Sequence, residues 1–542
     1  MWIALFADAH QTRYDRKSKS MKNMLKSATM RIKTFRGLDW VVLGVGLVIF
    51  TLLTLATITK STIWFDEAFG AYLMNFSFFD IARYTGTDVH PPLYYWILKI
   101  WTDFFGTTEL AFRSLSVLFG ASAIGFAFLL TKRLFGRKAA WISLLFLIVS
   151  PMLIRYGQEA RMYTLAATIT IAATYVLTFA VESKRKLPWV LYGLLVSLGM
   201  WTHYFTAVVW LAHWVWRAVV VWQTGKRKKD FSQAFFTRNW ILANTIAVGL
   251  FLLWVPFMLV QLTVIQASGF WIGKVGTDTL PNYFTNVLFY LEHDQATGWA
   301  GAALAIIIVG LIVLSRKVYK KLGKAGRRNY LLLASLAVVP VLLLAIVSLP
   351  PLRSSFVERY LLPSAIGLSL FSGVTIALGM ANLRRIWQVA AVWLVVVCML
   401  FGVSNVYYFG NYNKNSQTKV LSGDLVKEIQ KRSKVGEPII TNTPWVFYEA
   451  VFYSTDNHPV YFIDANTQYL YCSLDMLKYS DKHKIKDLAA FTKQHPIVWY
   501  MGYTTDTVIN PADDSWRLLQ SFSIKSTIDN KDLYKAAQFQ TY

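Results

Sequence analysis

Three carboxylates and an imidazole stand close together early in the chain, within WFDEAF and DVHPPLYY: Asp66, Glu67, Asp88 and His90. A carboxylate here offers a general base, and an imidazole beside it offers a proton carrier or an orienting hydrogen bond. The setting is aromatic. Trp64 and Phe65 precede the acid pair, and Tyr94, Tyr95 and Trp96 follow Pro91 and Pro92. Asp66 also suits the N-cap of a short amphipathic helix, AFGAYLM, but a cap uses one short polar side chain and leaves Glu67 without a task. The turn at Asp88–Pro92, with proline opening a helix through LYYWILKIW, is expected to aim Asp88 and His90 back toward Asp66. Ionisable groups among aromatics at a membrane edge point to function. Asp66, Glu67, Asp88 and His90 are therefore read as the catalytic set.

Cations supply the complementary half. Arg161 in YGQEARMY and Arg359 in FVERYLLPS each follow an acid, and a guanidinium grips a phosphate through two parallel hydrogen bonds. Arg359, Arg161 and the adjoining Tyr360 are read as a phosphate-binding group, with Glu159 and Glu358 as their partners. Arg155 and Arg353 fit snorkelling to lipid phosphates at span ends. His203, in WTHYF, is a supporting candidate where two spans meet, and His213 reads as a structural histidine on an apolar helix. Asp456, His458 and Asp464 read as solvated loop residues. Asp66, Asp88 and His90 are ligand types that permit a divalent cation, yet no spacing here matches a metal motif. No metal ligand is assigned and no cofactor is fixed, and a divalent metal stays open.

These groups must be held by membrane-spanning helices. The chain has 542 residues, 55% hydrophobic and 16% charged, against roughly 25% charged in a soluble domain, and its mean hydropathy is +0.39. The net charge of +25 does not mark a nucleic-acid binder, because Lys and Arg fall mainly in short loops and in a basic tail at 1–38. Apolar segments at 39–58, 110–131, 139–155, 162–181, 188–202, 204–222, 240–262, 299–315, 330–349, 359–380 and 386–408 predict about eleven spans. Alternate loops at 132–138, 182–186, 223–238, 316–328 and 384–385 are basic, which places them and the tail in the cytoplasm. The opposite face receives the first loop, 61–105, with 155–161, His203, 263–297, 350–359 and everything after Tyr408. That first loop, roughly 45 residues long, is far longer than a helix connection needs.

From 409 to 542 strand and helix patterns alternate, as in EPIITN, PWVFYEAVFYST, HPVYFID, KIKDLAAFTKQH and PIVWYM, which predicts a small α/β domain. It carries neither a GxGxxG nor a Walker loop. Of the two cysteines, Cys398 lies in a span and Cys472 in this domain, so no disulfide framework is expected. The expected fold is an α-helical polytopic membrane protein with a small C-terminal α/β domain outside the cytoplasm. Its 39–408 module carries the chemistry.

Four motifs occur in a familiar order: Asp66-Glu67 in the first outer loop, D-x-H-P-P-L from Asp88 to Leu93, YGQEARMYTL from Tyr156 to Leu165, and ERYLLPS from Glu358 to Ser364. Over roughly residues 40–370 the chain resembles the C-type polytopic membrane glycosyltransferases. It is most like the family 39-like group of protein O-mannosyltransferases and lipid A aminoarabinose transferase. The resemblance implies a polyprenyl-phosphate sugar donor and transfer with inversion on the extracytoplasmic side of the plasma membrane. It also implies that Asp66 is the catalytic carboxylate. Which sugar is moved, and whether the acceptor is a lipid, a glycan or a protein, does not carry over. A lipid-phosphate or lipid-linked sugar transporter also needs membrane-embedded charge, but would hold it near the midplane. A membrane scaffold would leave the loop acids unexplained.

Overall fold

The structure, a computed structural model, describes residues 37–224, 228–268, 272–291, 298–351, 353–409, 421–441, 444–463, 476, 481–504, 516–525 and 530–541. The basic tail lies almost wholly outside these residues, as do Asp464 and Cys472.

Among the described residues, seven helices are long and apolar enough to cross a membrane: Gly37–Leu55, Glu109–Phe135, Tyr163–Ala180, Gly298–Lys321, Lys324–Val347, Glu358–Gly379 and Arg385–Tyr408. Two bent pairs bring the number to nine if each is one span. Arg137–Ile148 and Pro151–Gly157 meet at 55°, and Arg238–Phe251 and Val255–Thr263 at 59°. The expectation of about eleven spans includes Leu187–Thr202 and Thr206–Trp222, which are helical but have only 16 and 17 residues. At about 1.5 Å per residue each rises roughly 25 Å, short of the ~30 Å hydrocarbon core. The structure supports seven to nine spans, and length is what separates the two counts.

The first bend sits where Ser150 accepts from the Leu153 N–H and Pro151 opens the next helix. Proline there lacks the N–H that a continuous helix needs. The chain then leaves the helix at Gln158–Met162 and re-enters it at Tyr163, and that break holds Glu159 and Arg161. Broken helices are tolerated at membrane depth where protein satisfies their backbone or where they line a cavity. Gln158 supplies part of this satisfaction, donating to the Thr54 carbonyl and the Thr57 hydroxyl, each at 2.8 Å.

Side-chain bonds sort the connections onto two faces. On one, Arg133 and Arg328 both hold Glu182, at 2.6 and 2.8 Å. Lys132 and Arg137 hold Asp39, at 2.8 and 2.7 Å, and Gln223 donates to Tyr319 at 2.9 Å. These are the basic loops of the sequence. The other face gathers the first loop, Arg161, His203 and Arg359.

The first loop folds into three short helices, Phe65–Leu73, Phe78–Gly86 and Leu93–Phe105. Ser77 caps the second by accepting from the Asp80 N–H, and Gly106, at φ +82°, ends the third in a conformation glycine adopts without strain.

The C-terminal domain is a six-stranded mixed sheet: β1 (Ile439–Thr441), β2 (Val460–Ile463), β3 (Lys484–Ile485), β4 (Ile497–Tyr503), β5 (Arg517–Lys525) and β6 (Asp532–Gln540). Its order is β3-β2-β1-β4-β6-β5. The first four strands run parallel, and β6 pairs antiparallel with both β4 and β5. Alternate residues face opposite sides. Ile439, Trp499 and Met501 join the core that contains Leu425, Ile429 and Phe447. Ile440, Val498 and Tyr500 pack with Leu488 and Phe491 on the other side. Helix Pro444–Tyr453 lies on the first-loop helix Phe65–Leu73. Its Tyr448 ring is 5.2 Å from Tyr72 and 5.7 Å from Phe69, close enough for favourable ring contacts. The Ile63 N–H donates to the Tyr453 hydroxyl at 2.6 Å, and that hydroxyl donates in turn to Glu109.

Candidate active site

Asp66 and Glu67 are neighbours with different environments. Both lie in the first turn of helix Phe65–Leu73. A helix turns about 100° per residue, so adjacent side chains leave it in different directions. Glu67 turns into the protein and is buried. It accepts from Arg113 Nε at 2.9 Å, from Arg113 Nη2 at 2.6 Å and from the Ala160 N–H at 2.8 Å. Arg113, also buried, donates further to the carbonyls of Ile58, Ser61 and Thr62. One ion pair therefore ties the first loop to the second span and to the break after Gly157. Asp66 turns the other way and keeps 23% of its side chain exposed. Trp64, not Asp66, is the N-cap residue of this helix, so capping does not account for Asp66.

Arg161 faces Asp66. Its Nη2 is 3.7 Å from Asp66 Oδ2, and its Nη1 donates to the Asp66 carbonyl at 3.1 Å and to the Tyr95 hydroxyl at 3.0 Å. The break in the helix makes this possible by bringing a guanidinium out of the span and into the loop. Glu159 does not pair with Arg161. It binds Arg155 Nη1 at 2.7 Å, and both are buried, which corrects the snorkelling expected of Arg155. Burial pushes the Glu159 carboxyl above its usual range. Arg353 donates to the Ile265 carbonyl at 2.8 Å and is exposed, as an interfacial arginine is.

Arg359 and Tyr360 come from the short 3-10 turn Glu358–Leu361 that opens the next span. The Arg359 guanidinium lies 5.6 Å from the Tyr163 ring centre and within electrostatic reach of Asp66. Glu358, expected as its partner, accepts instead from Asn286 at 2.7 Å. Tyr360 stacks on Phe205 at 4.7 Å and touches the His203 ring at 4.6 Å. His203 lies 5.7 Å from His90, so Tyr360, His203 and His90 form a continuous wall.

His90 and Asp88 sit in the turn before helix Leu93–Phe105, with His90 Nδ1 3.5 Å from Asp88 Oδ2. Gln261 supports the turn, donating to the Thr85 carbonyl at 2.7 Å and the His90 carbonyl at 3.5 Å. Burial, with the positive charge of Arg161, holds the His90 imidazole well below its ordinary pKa. Burial and the neighbouring His90 do the same to His203. Both rings are thus neutral near pH 7, able to accept or donate a hydrogen bond without bringing charge.

The structure gathers Asp66, Glu67, Asp88, His90, Arg161, His203, Arg359 and Tyr360 from four separate connections onto one face. His213 is elsewhere, bonded between Thr174 and Tyr192, each at 3.0 Å, inside a helix bundle. His458 is buried against Ser433 in the C-terminal domain rather than solvated. Among the described residues, no three His, Cys, Asp or Glu side chains are placed to hold a metal ion. Two participants escaped the sequence: Arg113 and Tyr95. Arg113 stands a few residues into an apolar span, and a charge there was the available signal. Tyr95 gave none beyond lying in an aromatic run.

Comparison with known proteins gives this geometry a context. Residues 89–260 match the family model described as dolichyl-phosphate-mannose-protein mannosyltransferase. No curated protein matches in sequence. In fold, the chain is similar to the crystal structure of ArnT from Cupriavidus metallidurans in its apo state, with a TM-score of 0.61 and 14% identity, covering 93% of this chain and 98% of that one. It is equally similar to ArnT bound to undecaprenyl phosphate, with a TM-score of 0.60 and the same identity and coverage. The family match falls on the segment that holds His90, Glu159, Arg161 and His203, and over 93% of its length the chain shares the fold of ArnT.

Proposed function

We propose that the protein moves a sugar from a polyprenyl-phosphate donor to an acceptor hydroxyl on the extracytoplasmic face of the plasma membrane, with inversion, and that Asp66 is the general base. One observation carries this proposal. Asp66 is partly exposed, has the buried Arg161 guanidinium 3.7 Å away and lies within electrostatic reach of the buried Arg359, while its neighbour Glu67 is sunk into an ion pair. A base must reach solvent or acceptor, and a leaving phosphate must meet fixed positive charge.

In the proposed step the acceptor oxygen attacks the anomeric carbon and its proton passes to Asp66. The bond from that carbon to the phosphate oxygen breaks, and the electron pair leaves with the lipid phosphate. Arg359 and Arg161 stabilise the charge that develops there, in a site from which much water is excluded. Tyr360 borders the same phosphate. The neutral rings of His90 and His203 line the sugar side, with Asp88 orienting His90. Glu67 and Glu159 hold Asp66 and Arg161 in place through Arg113, Ala160 and Arg155. The likeness to ArnT bound to undecaprenyl phosphate supports a polyprenyl-phosphate partner, and the basic loops on the opposite face support a cytoplasmic N-terminus.

The test is to offer purified protein either a nucleotide sugar or the matching polyprenyl-phosphate sugar, with one acceptor extract. Transfer is expected only from the lipid-linked donor. Transfer from the nucleotide sugar with no lipid intermediate would overturn the proposal.

A further inference from the structure

The helix that carries Asp66 begins without a cap of its own. Its N-cap residue, Trp64, has no side-chain acceptor, and no side-chain cap bond is made there. Glu67 reaches back only to the Trp64 N–H, at 3.4 Å. The helix is nine residues long, too short to persist without tertiary support. The Glu67 N–H finds the Trp64 carbonyl at 3.0 Å, which leaves the N–H groups of Phe65 and Asp66 outside the helix's own ladder, to be met from elsewhere.

One acceptor comes from the C-terminal domain. Glu449, midway along helix Pro444–Tyr453, is buried. Its carboxyl accepts from the Phe65 N–H at the first position of the Asp66 helix, and it contacts the hydroxyls of Ser422 and Tyr534, the latter at 3.5 Å. Its neighbours Val446, Phe447, Tyr448 and Ala450 are buried apolar or aromatic residues. Packing alone would be served there by another apolar side chain, since burying a carboxyl costs free energy unless it is bonded.

We infer that Glu449 is a positioning residue for Asp66: by capping the helix that holds Asp66, it lets the C-terminal domain set where the base stands. This inference rests on the proposed role of Asp66. The groups facing Glu449 are Ser422, Tyr534, the Phe65 N–H and the Glu67 carboxylate, and Glu67 is already matched by Arg113. Burial, with the negative charge of Glu67 added, pushes the Glu449 carboxyl up to about 8. Near pH 7 it is mostly protonated, and its carbonyl oxygen accepts the Phe65 N–H. A glutamine keeps that acceptor and a leucine removes it.

The experiment compares full-length Glu449→Gln and Glu449→Leu with the unmodified protein. Turnover should stay within about threefold in Glu449→Gln. In Glu449→Leu it should fall about tenfold or more at saturating donor, with donor KM changed by less than about twofold, because small displacements of a reacting group carry costs of this order. Hydrogen exchange over residues 63–70 should quicken in Glu449→Leu and not in Glu449→Gln. If leucine prevents the domain from assembling, Glu449→Ala takes its place. Unchanged turnover and exchange in the leucine or alanine variant would overturn the inference. So would equal damage from glutamine. Full turnover in Asp66→Asn, measured alongside, would remove the proposed base while leaving the exchange result to judge the cap separately.

Discussion

Replacing Glu67 with glutamine separates a structural tie from a chemical role. The carboxylate accepts two bonds from Arg113, at 2.9 and 2.6 Å, and a third from the Ala160 N–H at 2.8 Å. Side-chain exposure is 1% for Arg113 and 0% for Glu67, so solvent screening gives no discount. Glutamine turns one oxygen of the fork into a donor that opposes a guanidinium N–H, and it removes the counter-charge. Breaking a buried pair by removing one partner costs about 3–5 kcal/mol, and one lost charge-assisted bond alone costs about 1.5–3 kcal/mol. Arg113 keeps its three carbonyl acceptors, which favours the lower end, about 3 kcal/mol. Arg113→Met should be worse, because it leaves a buried carboxylate and three carbonyls without their donor. The assay is thermal inactivation of purified protein in lipid nanodiscs, with turnover measured per folded molecule. The expected order of stability is unmodified, then Glu67→Gln, then Arg113→Met. If Glu67→Gln melts like the unmodified protein yet loses turnover by more than about a hundredfold, the loss expected for a general acid or base, Glu67 belongs to the chemistry and the tie is refuted.

Asp66→Asn should retain expression and thermal stability while turnover falls by at least about a hundredfold, as for loss of a general base; near-normal turnover would exclude it. Arg359→Lys keeps the charge and loses the planar fork, so apparent donor binding should weaken by about 1–3 kcal/mol, the range of a charge-assisted bond, and Arg359→Ala should lose more. Titrating lipid-linked donor against both variants decides it, and equal affinities for Lys and Ala would contradict a phosphate contact. His90 and His203 are held below their unfolded value of about 6.5, so the folded chain binds fewer protons than the unfolded one as pH falls through that value. Their contribution to stability is therefore complete above about pH 6.5 and erodes below it. Melting temperature should drop between pH 7 and pH 5, and a His90→Gln, His203→Gln protein should lose part of that drop.

The sequence was most informative where apolar runs alternate with basic loops. The same alternation that orients the chain places Asp66, His90, Arg161, His203 and Arg359 on one face, so their meeting was foreseeable from segments far apart. Charge pairing was less legible. Arg155 reads like an interfacial arginine, yet the break after Gly157 returns Glu159 to it four residues later, and no local pattern announces such a break. Arg113 stands out as a charge inside an apolar span, but its partner Glu67 lies 46 residues away and no local pattern pairs them. In the C-terminal domain, β1, β2 and β4 were visible as short apolar runs, as strands buried on both sides are. The β5–β6 hairpin was not. Arg517–Lys525 is largely exposed and polar, and it owes its strand form to pairing with β6, a contact that sequence alone does not display.

The bond from Ile63 to Tyr453 spans 390 residues, and the junction it belongs to has a consequence for how the protein is made. A ribosome delivers the Asp66 helix early, and the helix that covers it only after the remaining spans have been inserted. Lys60 closes on the carbonyls of Tyr407 and Tyr408 at the end of the last of these spans. Chains lengthen at about 5–20 residues per second, so Phe65, Phe69 and Tyr72 wait on the order of tens of seconds without their aromatic partners. During that interval a nascent chain offers a sticky, uncovered first loop to whatever chaperone or neighbour is near. Activity is therefore expected to appear abruptly, with the synthesis of the final domain, and not in proportion to the length of chain inserted.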